Sequence, residues 1–316
     1  MGSDLHLGKL VVGCWQLDDR LWHSLSELEV ERAIDTYLAL GIHSFDTADI
    51  YGRSEAMLGR LLKGRPDCVI LTKAVFFDGI PSVSNIRHKI ENSLRNLNRD
   101  QLDCVHVHWQ NPSLDCAEAF NVLKQLQDQG KINRLGVTNF NTPMLQRAIQ
   151  QAPIWSHQVQ YSLVDRRVEP SMQAFCQQHQ IQLLAYGPLA GGYLSDTFQG
   201  CSTPAREGSH ARGFYYSSMI EAHGGWGALQ QLLNTLAQMA DKTGKPISQI
   251  ALNWVRHQPG VSAVVSGLTL DRLQIKSNAE ALTWSLDPED VTYLAERSAA
   301  LFRQDDDIYS YERERG

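Results

Sequence analysis

The alternation of short apolar runs with longer amphipathic stretches constrains the fold of this chain more than any other feature. The apolar runs are rich in β-branched residues, as strands are, and they lie at residues 9–13, 43–46, 68–73, 102–108, 132–138, 156–161, 181–186 and 261–266. The stretches with apolar residues at helical spacing lie at residues 26–41, 54–64, 83–98, 116–130, 142–151, 168–179, 227–244 and 247–257. Parallel strands need crossover connections, so strands separated by helices indicate an α/β protein with a parallel sheet.

Two architectures suit this pattern: an open, doubly wound sheet and a closed (β/α)8 barrel. The G-x-G-x-x-G fingerprint of an open dinucleotide-binding sheet does not follow the first run. No linker rich in Pro, Gly or Ser divides the chain, and barrels of ~250 residues form one domain. We therefore predict a single-domain (β/α)8 TIM barrel over residues 1–316, with a long loop at 193–225 after strand 7 and a charged C-terminal tail at 303–316.

Composition and charge exclude several classes of protein. The net charge is −6 and the sequence pI is about 6.0, so no basic surface for nucleic acid is expected. The mean hydropathy is −0.30, and no apolar run reaches the ~20 residues of a membrane-spanning helix. The first residues lack a secretory signal, and the cysteines are scattered without zinc-type spacing. We expect a cytoplasmic protein without a metal or a membrane, whose partner is a small molecule.

Polar residues end or follow four strands in succession. Asp46 and Tyr51 belong to FDTADIYG, Lys73 to ILTKA and His108 to VHVHW, and GVTNF ends the next strand. Singly, each has an ordinary explanation, since an aspartate caps a turn, a tyrosine packs with a wet hydroxyl, and a histidine fills a core, as expected for His106. A lysine inside an apolar strand needs a partner such as Asp46. In a barrel all four segments open onto one face, where barrel enzymes build their active sites.

The chain carries, in this order, the segments FDTADIYGRSEAMLGRLL, ILTKA, LDCVHVHW, GKINRLGVTNF, VQYSLVDR and LLAYGPLAGGYL. This ordered set resembles the motifs of the aldo-keto reductases, over about residues 9–278. The resemblance implies a (β/α)8 barrel that binds a nicotinamide cofactor and reduces an aldehyde or ketone to an alcohol by hydride transfer. By the same resemblance, Tyr51 is the general acid, Asp46 and Lys73 stand beside it, and His108 lies near the substrate carbonyl.

These residue types suit carbonyl reduction. Hydride addition to a carbonyl carbon leaves an alkoxide that needs a proton, which Tyr51 would supply. A cationic Lys73, held charged by Asp46, would ease the transfer of that proton. A hydrogen bond from His108 would polarise the carbonyl.

The resemblance also implies the residues that contact the cofactor. Thr138, Asn139 and Gln160 would face the nicotinamide carboxamide, with Tyr186 stacked on the ring. The turn that follows would bring backbone amides to the pyrophosphate, through Pro188, Leu189 and Gly191. The adenosine end would lie against Gly267, Thr269, Gln274 and Asn278.

The choice between NADPH and NADH depends on two positions. Many members of the family that prefer NADPH carry Lys and Arg where this chain has Leu268 and Gln274, and these cations would pair with the 2′-phosphate. Other members have glutamine there and still take NADPH. The cations that are candidates to replace the missing pair are Arg272, Lys276, Arg206 and Arg212. We therefore expect NADP(H) first and keep NAD(H) open.

The substrate pocket is expected to be aromatic, which suits an apolar or flat carbonyl compound. Its expected residues are Trp15, Phe76, Phe77, Trp109, Phe214 and Tyr215. Two other functions suit the same motifs. One is a cofactor-binding regulatory subunit, like the potassium-channel β subunits, and the other is a redox-neutral biosynthetic enzyme that uses the same four residues as acid and base.

Overall fold

The computed structural model describes residues 5–76, 79, 81–108, 116–169, 171–204, 212–299 and 301. Parallel strands form a closed barrel in chain order, with β8 paired back to β1. The strands are β1 (Leu10–Gly13), β2 (Ser44–Asp46), β3 (Val69–Val75), β4 (Leu102–His108), β5 (Ile132–Thr138), β6 (Ile154–Gln160), β7 (Gln182–Tyr186) and β8 (Val261–Gly267). The predicted (β/α)8 barrel is confirmed.

Helices surround the barrel and make the crossovers that parallel strands require. They are α1 (Glu27–Ala39), α2 (Ser54–Leu61), α3 (Val83–Leu97), α4 (Ala117–Asp128), α5 (Thr142–Gln151), α6 (Met172–Gln178), α7 (Ser217–Ala222), α8 (Gly225–Thr243), α9 (Ile247–Arg256), α10 (Arg272–Glu280) and α11 (Pro288–Ser298). The helices α7, α10 and α11 were not expected from the sequence. Within the described ranges, no helix has the length and hydrophobicity that a membrane span requires.

Alternation along each strand separates two apolar cores. Side chains that point into the barrel pack together below its rim, among them Val11, Leu71, Cys104 and Leu184. Side chains that point outward pack against the helices in a larger core. Because both faces of the strands are covered, the strands read as nearly continuous apolar runs, which is why the sequence predicted them well.

The segment after β7 is long, as predicted, but it is not irregular throughout. It contains a 3-10 turn at Asp196–Phe198, a π-helical turn at Arg212–Tyr216, and α7, which follows directly. Tyr215 and Tyr216 are buried in this turn. This part of the segment is therefore packed against the barrel rim. The tail at 303–316 and Arg206 lie outside the described residues.

Candidate active site

Polar side chains end five of the eight strands. Asp46, His108, Thr138, Gln160 and Tyr186 are each the last residue of their strand. Since parallel strands of a barrel end at the same rim, these five residues lie around one opening. The opening is at the C-terminal face, where the sequence predicted the chemistry to lie.

A buried ion pair joins β2 to β3 at this face. Lys73 Nζ lies 2.6 Å from Asp46 Oδ2 and donates a second hydrogen bond to the carbonyl of Thr47 at 2.9 Å. The side chains are only 2% and 6% exposed. Gln158 of β6 donates from Nε2 to Asp46 Oδ1 at 2.7 Å. Asp46 thus compensates the charge of Lys73 and fixes the orientation of its ammonium group.

Tyr51 lies in the loop between β2 and α2, beside this pair. The loop is held at its start, where the N–H of Thr47 donates to the carbonyl of Leu71 at 2.8 Å. It is held again near its end, since Thr47 Oγ1 donates to Ser54 Oγ at 2.7 Å. Lys73 Nζ lies 5.1 Å from the centroid of the Tyr51 ring. The loop therefore presents the phenol next to a fixed positive charge.

The two histidines of β4 have different surroundings. His108 is partly exposed at the strand end, and its Nε2 lies 3.5 Å from Asn139 Nδ2. His106 is fully buried, with Nε2 2.9 Å from Ser156 Oγ. Burial, together with the charge of Lys73, lowers the pKa of His106 to about 3. His106 is therefore a neutral core histidine, and His108 is the histidine that can reach a ligand.

A chain of hydrogen bonds connects the rim to the segment after β7. Tyr186 donates from its hydroxyl to Asn139 Oδ1 at 3.0 Å, and the hydroxyls of Tyr186 and Tyr215 are 2.8 Å apart. Tyr215 donates to Gln160 Oε1 at 2.7 Å, and Gln160 Nε2 donates to Met219 Sδ. The π-helical turn is thus fastened to the ends of β5, β6 and β7.

One cavity of about 1460 Å³ opens at this face. The residues expected from the sequence that line it are Asp46, Tyr51, Lys73, His108, Thr138, Asn139, Tyr186, Pro188, Leu189, Gly191, Gly267, Thr269, Gln274, Asn278, Trp15, Phe76, Phe214 and Tyr215. Gln160 contacts Tyr215 and Met219 instead, while Gln158 lines the cavity. Phe77 and Trp109 lie outside the described residues.

Aromatic rings form the wall beside Tyr51. The Trp15 ring stacks on Tyr51 at 6.1 Å between centroids, with 26° between their planes. Trp22 and Tyr215 meet Trp15 edge-on, at 5.6 and 5.9 Å. These rings give the phenol an apolar surrounding and leave a flat surface for a ligand.

The turn after β7 has a backbone that only glycine adopts easily. Gly187, Gly191 and Gly192 have φ angles of 62°, 69° and 96°, in the left-handed region. A Cβ at Gly191 would lie 2.4 Å from the ring of Tyr216. Arg212 donates from Nε to the carbonyl of Gly191 at 2.8 Å. The turn therefore gives the cavity a wall of exposed backbone with a cation beside it, which suits an anionic ligand.

Two observations test whether a dinucleotide fits this cavity. Thr138 Oγ1 is buried and has no hydrogen-bond partner among the described residues, although Thr138 lines the cavity. A buried hydroxyl of this kind is available to a bound polar group. The volume also exceeds the ~300–1,000 Å³ of pockets for drug-sized ligands. The residues present fit a dinucleotide with a small substrate beside it.

The model of the aldo/keto reductase family matches residues 9–299. The chain belongs to this family. It is 28% identical to an aldo-keto reductase (YhdN) of Bacillus subtilis, over 91% of this chain and 89% of that protein. It is 26% identical to the NADH-specific methylglyoxal reductase of Escherichia coli, over 95% of this chain and 98% of that protein. Its fold resembles that of a glycerol dehydrogenase from Gluconobacter oxydans, with a TM-score of 0.83, 25% identity, and coverage of 96% and 95%.

The protein is thus an oxidoreductase that reduces an aldehyde or ketone with NAD(P)H. Side chains that the sequence did not single out also line the cavity, among them Gln16, Asp18, Arg20, Trp22 and Gln158. Strand alternation offers a signal for Gln158, because residues two apart in a strand face the same side. The others follow β1 outside any strand, where no periodicity marks them.

Proposed function

We propose that this reductase protonates its substrate through Tyr51, activated by Lys73. The observation that carries the proposal is the position of the ammonium group, 5.1 Å from the Tyr51 ring centroid and 2.6 Å from Asp46 Oδ2. The positive charge stabilises the negative charge that develops on the phenol oxygen as its proton leaves. Asp46 pairs with the ammonium group in a site from which water is largely excluded.

His108 orients and polarises the substrate carbonyl in this proposal. Its ring is at the end of β4 on the cavity wall, with Asn139 beside Nε2. A hydrogen bond to the carbonyl oxygen strengthens as that oxygen becomes an alkoxide, so it lowers the barrier of the reaction. The neutral His106 below it has its Nε2 next to Ser156 and takes no part.

A bound NADH or NADPH would supply the hydride. Thr138 and Asn139 would hold its carboxamide together with Gln158, which lines the cavity, in place of Gln160. Tyr186 would lie against the nicotinamide ring, since it is the last residue of β7 at the barrel rim. The residues proposed for the rest of the dinucleotide are Pro188, Leu189, Gly191 and Arg212 for the pyrophosphate, and Gly267, Thr269, Gln274 and Asn278 for the adenosine end.

The substrate is proposed to be a small or flat carbonyl compound. Aromatic side chains of Trp15, Phe76, Phe214 and Tyr215 line the cavity near Tyr51. The Escherichia coli relative is named for methylglyoxal, a small oxoaldehyde, and small aldehydes therefore belong beside aromatic ones in a test.

All six cysteines are free, which supports the cytoplasmic location expected from the sequence.

The test is an assay of the purified chain with a panel of aldehydes and ketones. The absorbance of the reduced cofactor is monitored. We expect the reduced cofactor to be consumed in proportion to the alcohol that forms. Tight cofactor binding without turnover on any carbonyl would contradict the proposal and favour a regulatory subunit. Product formation without net oxidation of the cofactor would contradict it in favour of a redox-neutral enzyme.

A further inference from the structure

An ion pair lies against the loop that carries Tyr51. Asp18 and Arg20 belong to the segment between β1 and α1, and both residues line the cavity. Arg20 donates from Nε to Asp18 Oδ1 at 2.7 Å and from Nη2 to Asp18 Oδ2 at 2.8 Å. The backbone N–H of Arg20 also donates to Asp18 Oδ1, at 3.2 Å. A bidentate pair of this kind fixes the orientation of the guanidinium relative to the carboxylate.

The two members of the pair differ in burial. The side chain of Asp18 is 2% exposed, whereas that of Arg20 is 63% exposed. The carboxylate is thus removed from water, and a buried carboxylate is costly unless it is paired and hydrogen-bonded. Arg20 supplies that pairing, so its guanidinium is held in one position although much of its side chain faces solvent.

The pair contacts the chain on both sides of Tyr51. Arg20 donates from Nη2 to the carbonyl of Ile50, the residue before Tyr51. Gly52, the residue after Tyr51, lies against the carboxylate, because a Cβ at this position would be 3.3 Å from Asp18 Oδ1. Gly52 has a φ angle of 52°, in the left-handed region that glycine adopts easily. The backbone on either side of the phenol therefore rests on the ion pair.

The segment that holds the pair also contacts the Tyr51 ring. The Trp15 ring stacks on this ring at 6.1 Å between centroids. The N–H of Asp18 donates to the carbonyl of Trp15 at 2.9 Å, and the N–H of Trp22 donates to the carbonyl of Asp18 at 3.0 Å. Asp18 is therefore bonded to the turn that presents the aromatic wall and, through Arg20, to the loop of Tyr51.

The Tyr51 loop is fixed to the barrel on its other side by Asp49. The N–H of Asp49 donates to the carbonyl of Lys73 at 3.1 Å, which ties the loop to β3. The N–H of Tyr51 makes only a local turn, to the carbonyl of Ala48 at 3.1 Å. The contact with β3 and the contact with the ion pair thus lie on opposite sides of Tyr51 along the loop, and together they set where the phenol stands.

We propose that the Asp18–Arg20 pair positions Tyr51 for proton transfer. The pair sets the place of the phenol relative to Lys73 and to the substrate oxygen, and neither of its members takes part in the reaction itself. Reacting groups must be closely aligned, and a misplacement of ~1 Å can cost about a hundredfold in rate. The inference rests on the proposed function, because it takes Tyr51 as the proton donor.

The test is a double-mutant cycle of Arg20→Gln and Tyr51→Phe, measured as the single-turnover rate of hydride transfer at saturating cofactor and aldehyde. Arg20→Gln alone should lower this rate at least about tenfold and leave the dissociation constant of NADH within about threefold. In the Tyr51→Phe background the same substitution should change the rate less than about twofold, because no phenol is left to position. A substitution that only loosened the protein would lower the rate in both backgrounds.

Arg60→Gln is the matched control. Arg60 makes the same bidentate pair with Glu27, at 3.0 and 2.7 Å, and joins α2 to α1 with a similarly exposed side chain. Arg60 is not among the described residues that line the cavity, so this variant should keep the wild-type rate. If Arg20→Gln does not fold because Asp18 is left unpaired, Asp18→Asn combined with Arg20→Gln removes both charges and should show the same loss of rate.

Two results would overturn the proposal. One is an equal loss of rate from Arg20→Gln in the wild-type and Tyr51→Phe backgrounds. The other is a wild-type rate in Arg20→Gln, or in its combination with Asp18→Asn. A wild-type rate in Tyr51→Phe would instead contradict the proposed function, on which the inference rests.

Discussion

Replacing Asp46 by asparagine should destabilise the fold and inactivate the enzyme together. Asp46 accepts from two donors, Lys73 Nζ on Oδ2 and Gln158 Nε2 on Oδ1. Asparagine has the same shape, but one of its two terminal atoms is an NH₂ group. In either orientation the NH₂ group faces one of these donors. The variant therefore loses a hydrogen bond and leaves a buried ammonium without its counter-charge.

The size of the effect follows from the geometry of the pair. Two unit charges 2.6 Å apart attract by about 6 kcal/mol at an effective dielectric constant of ~20. Desolvation offsets part of this attraction, and removal of one partner from a buried pair typically costs about 3–5 kcal/mol. We expect Asp46→Asn to lower the free energy of unfolding by about that amount, as measured by urea denaturation.

A double-mutant cycle separates the charge from the rest of the site. The variant Asp46→Asn with Lys73→Met has no buried charge, so it should recover at least about 2 kcal/mol of the stability lost in Asp46→Asn. It should stay inactive, because Tyr51 has lost its cation. Asp103→Asn is the control, since this carboxylate accepts from the N–H of Ile70 at 2.8 Å, and asparagine can accept that bond at a cost within about 1 kcal/mol.

Two outcomes would refute this reasoning. One is a loss below about 1 kcal/mol in Asp46→Asn, which would mean that the pair is not desolvated as its burial indicates. The other is a double variant whose loss equals the sum of the two single losses, which would mean that the two charges do not interact.

Two further predictions concern the barrel interior. Burial lowers the pKa of His106 and His157 from 6.5 to about 3, so the unfolded chain binds more protons between these values. The contribution of the two histidines to the free energy of unfolding should be fully present above about pH 6.5. Below that pH the free energy of unfolding should fall by up to ~1.4 kcal/mol per histidine for each pH unit. A urea midpoint that is constant from neutral to mildly acidic pH would contradict this prediction. A Cβ at Gly136 would lie 2.5 Å from His106 Cδ2 and 2.8 Å from Ser156 Oγ, so Gly136→Ala should cost at least about 2 kcal/mol. Gly227→Ala in α8, with nothing within 4 Å of the added Cβ, should be neutral or stabilising, and equal melting temperatures of the two variants would count against the packing described.

The strands could be predicted because a closed barrel covers both of their faces. The first and last residues of the strands were predicted less exactly, because hydrogen bonding to the neighbouring strands decides where each strand begins and ends. β6 was predicted at 156–161 and extends from Ile154 to Gln160. β3 was predicted to end at residue 73 and continues to Val75, where it pairs with His108 of β4.

The helix α10 could not be recognised from periodicity. Leu273 is 76% exposed, and only Ile275 and Asn278 of this helix are buried, so it has almost no apolar stripe. Its start depends on the cap that Asp271 provides. The resemblance to the family implied that this segment contacts the cofactor, but it did not predict that the segment is helical.

The sequence predicted which residues line the cavity better than it predicted how they are arranged. Gln158 and Gln160 have the same residue type and the same facing in β6. Only the approach of Tyr215 and Met219 from the segment after β7 decides that Gln160 is covered. That approach depends on packing between segments 55 or more residues apart in the chain, which local sequence patterns do not encode.

The most direct test of Tyr51 as the proton donor is the single-turnover rate of hydride transfer in Tyr51→Phe, measured at saturating cofactor and aldehyde. Tyr193→Phe is the matched control, because it removes a hydroxyl that lies 3.1 Å from Ser217 Oγ, outside the proposed chemistry. We expect Tyr51→Phe to lower the rate by about a hundredfold to ten-thousandfold while the dissociation constant of NADH stays within about threefold of the wild type. A rate within about tenfold of the wild type, with Tyr193→Phe equally affected, would contradict the assignment of Tyr51.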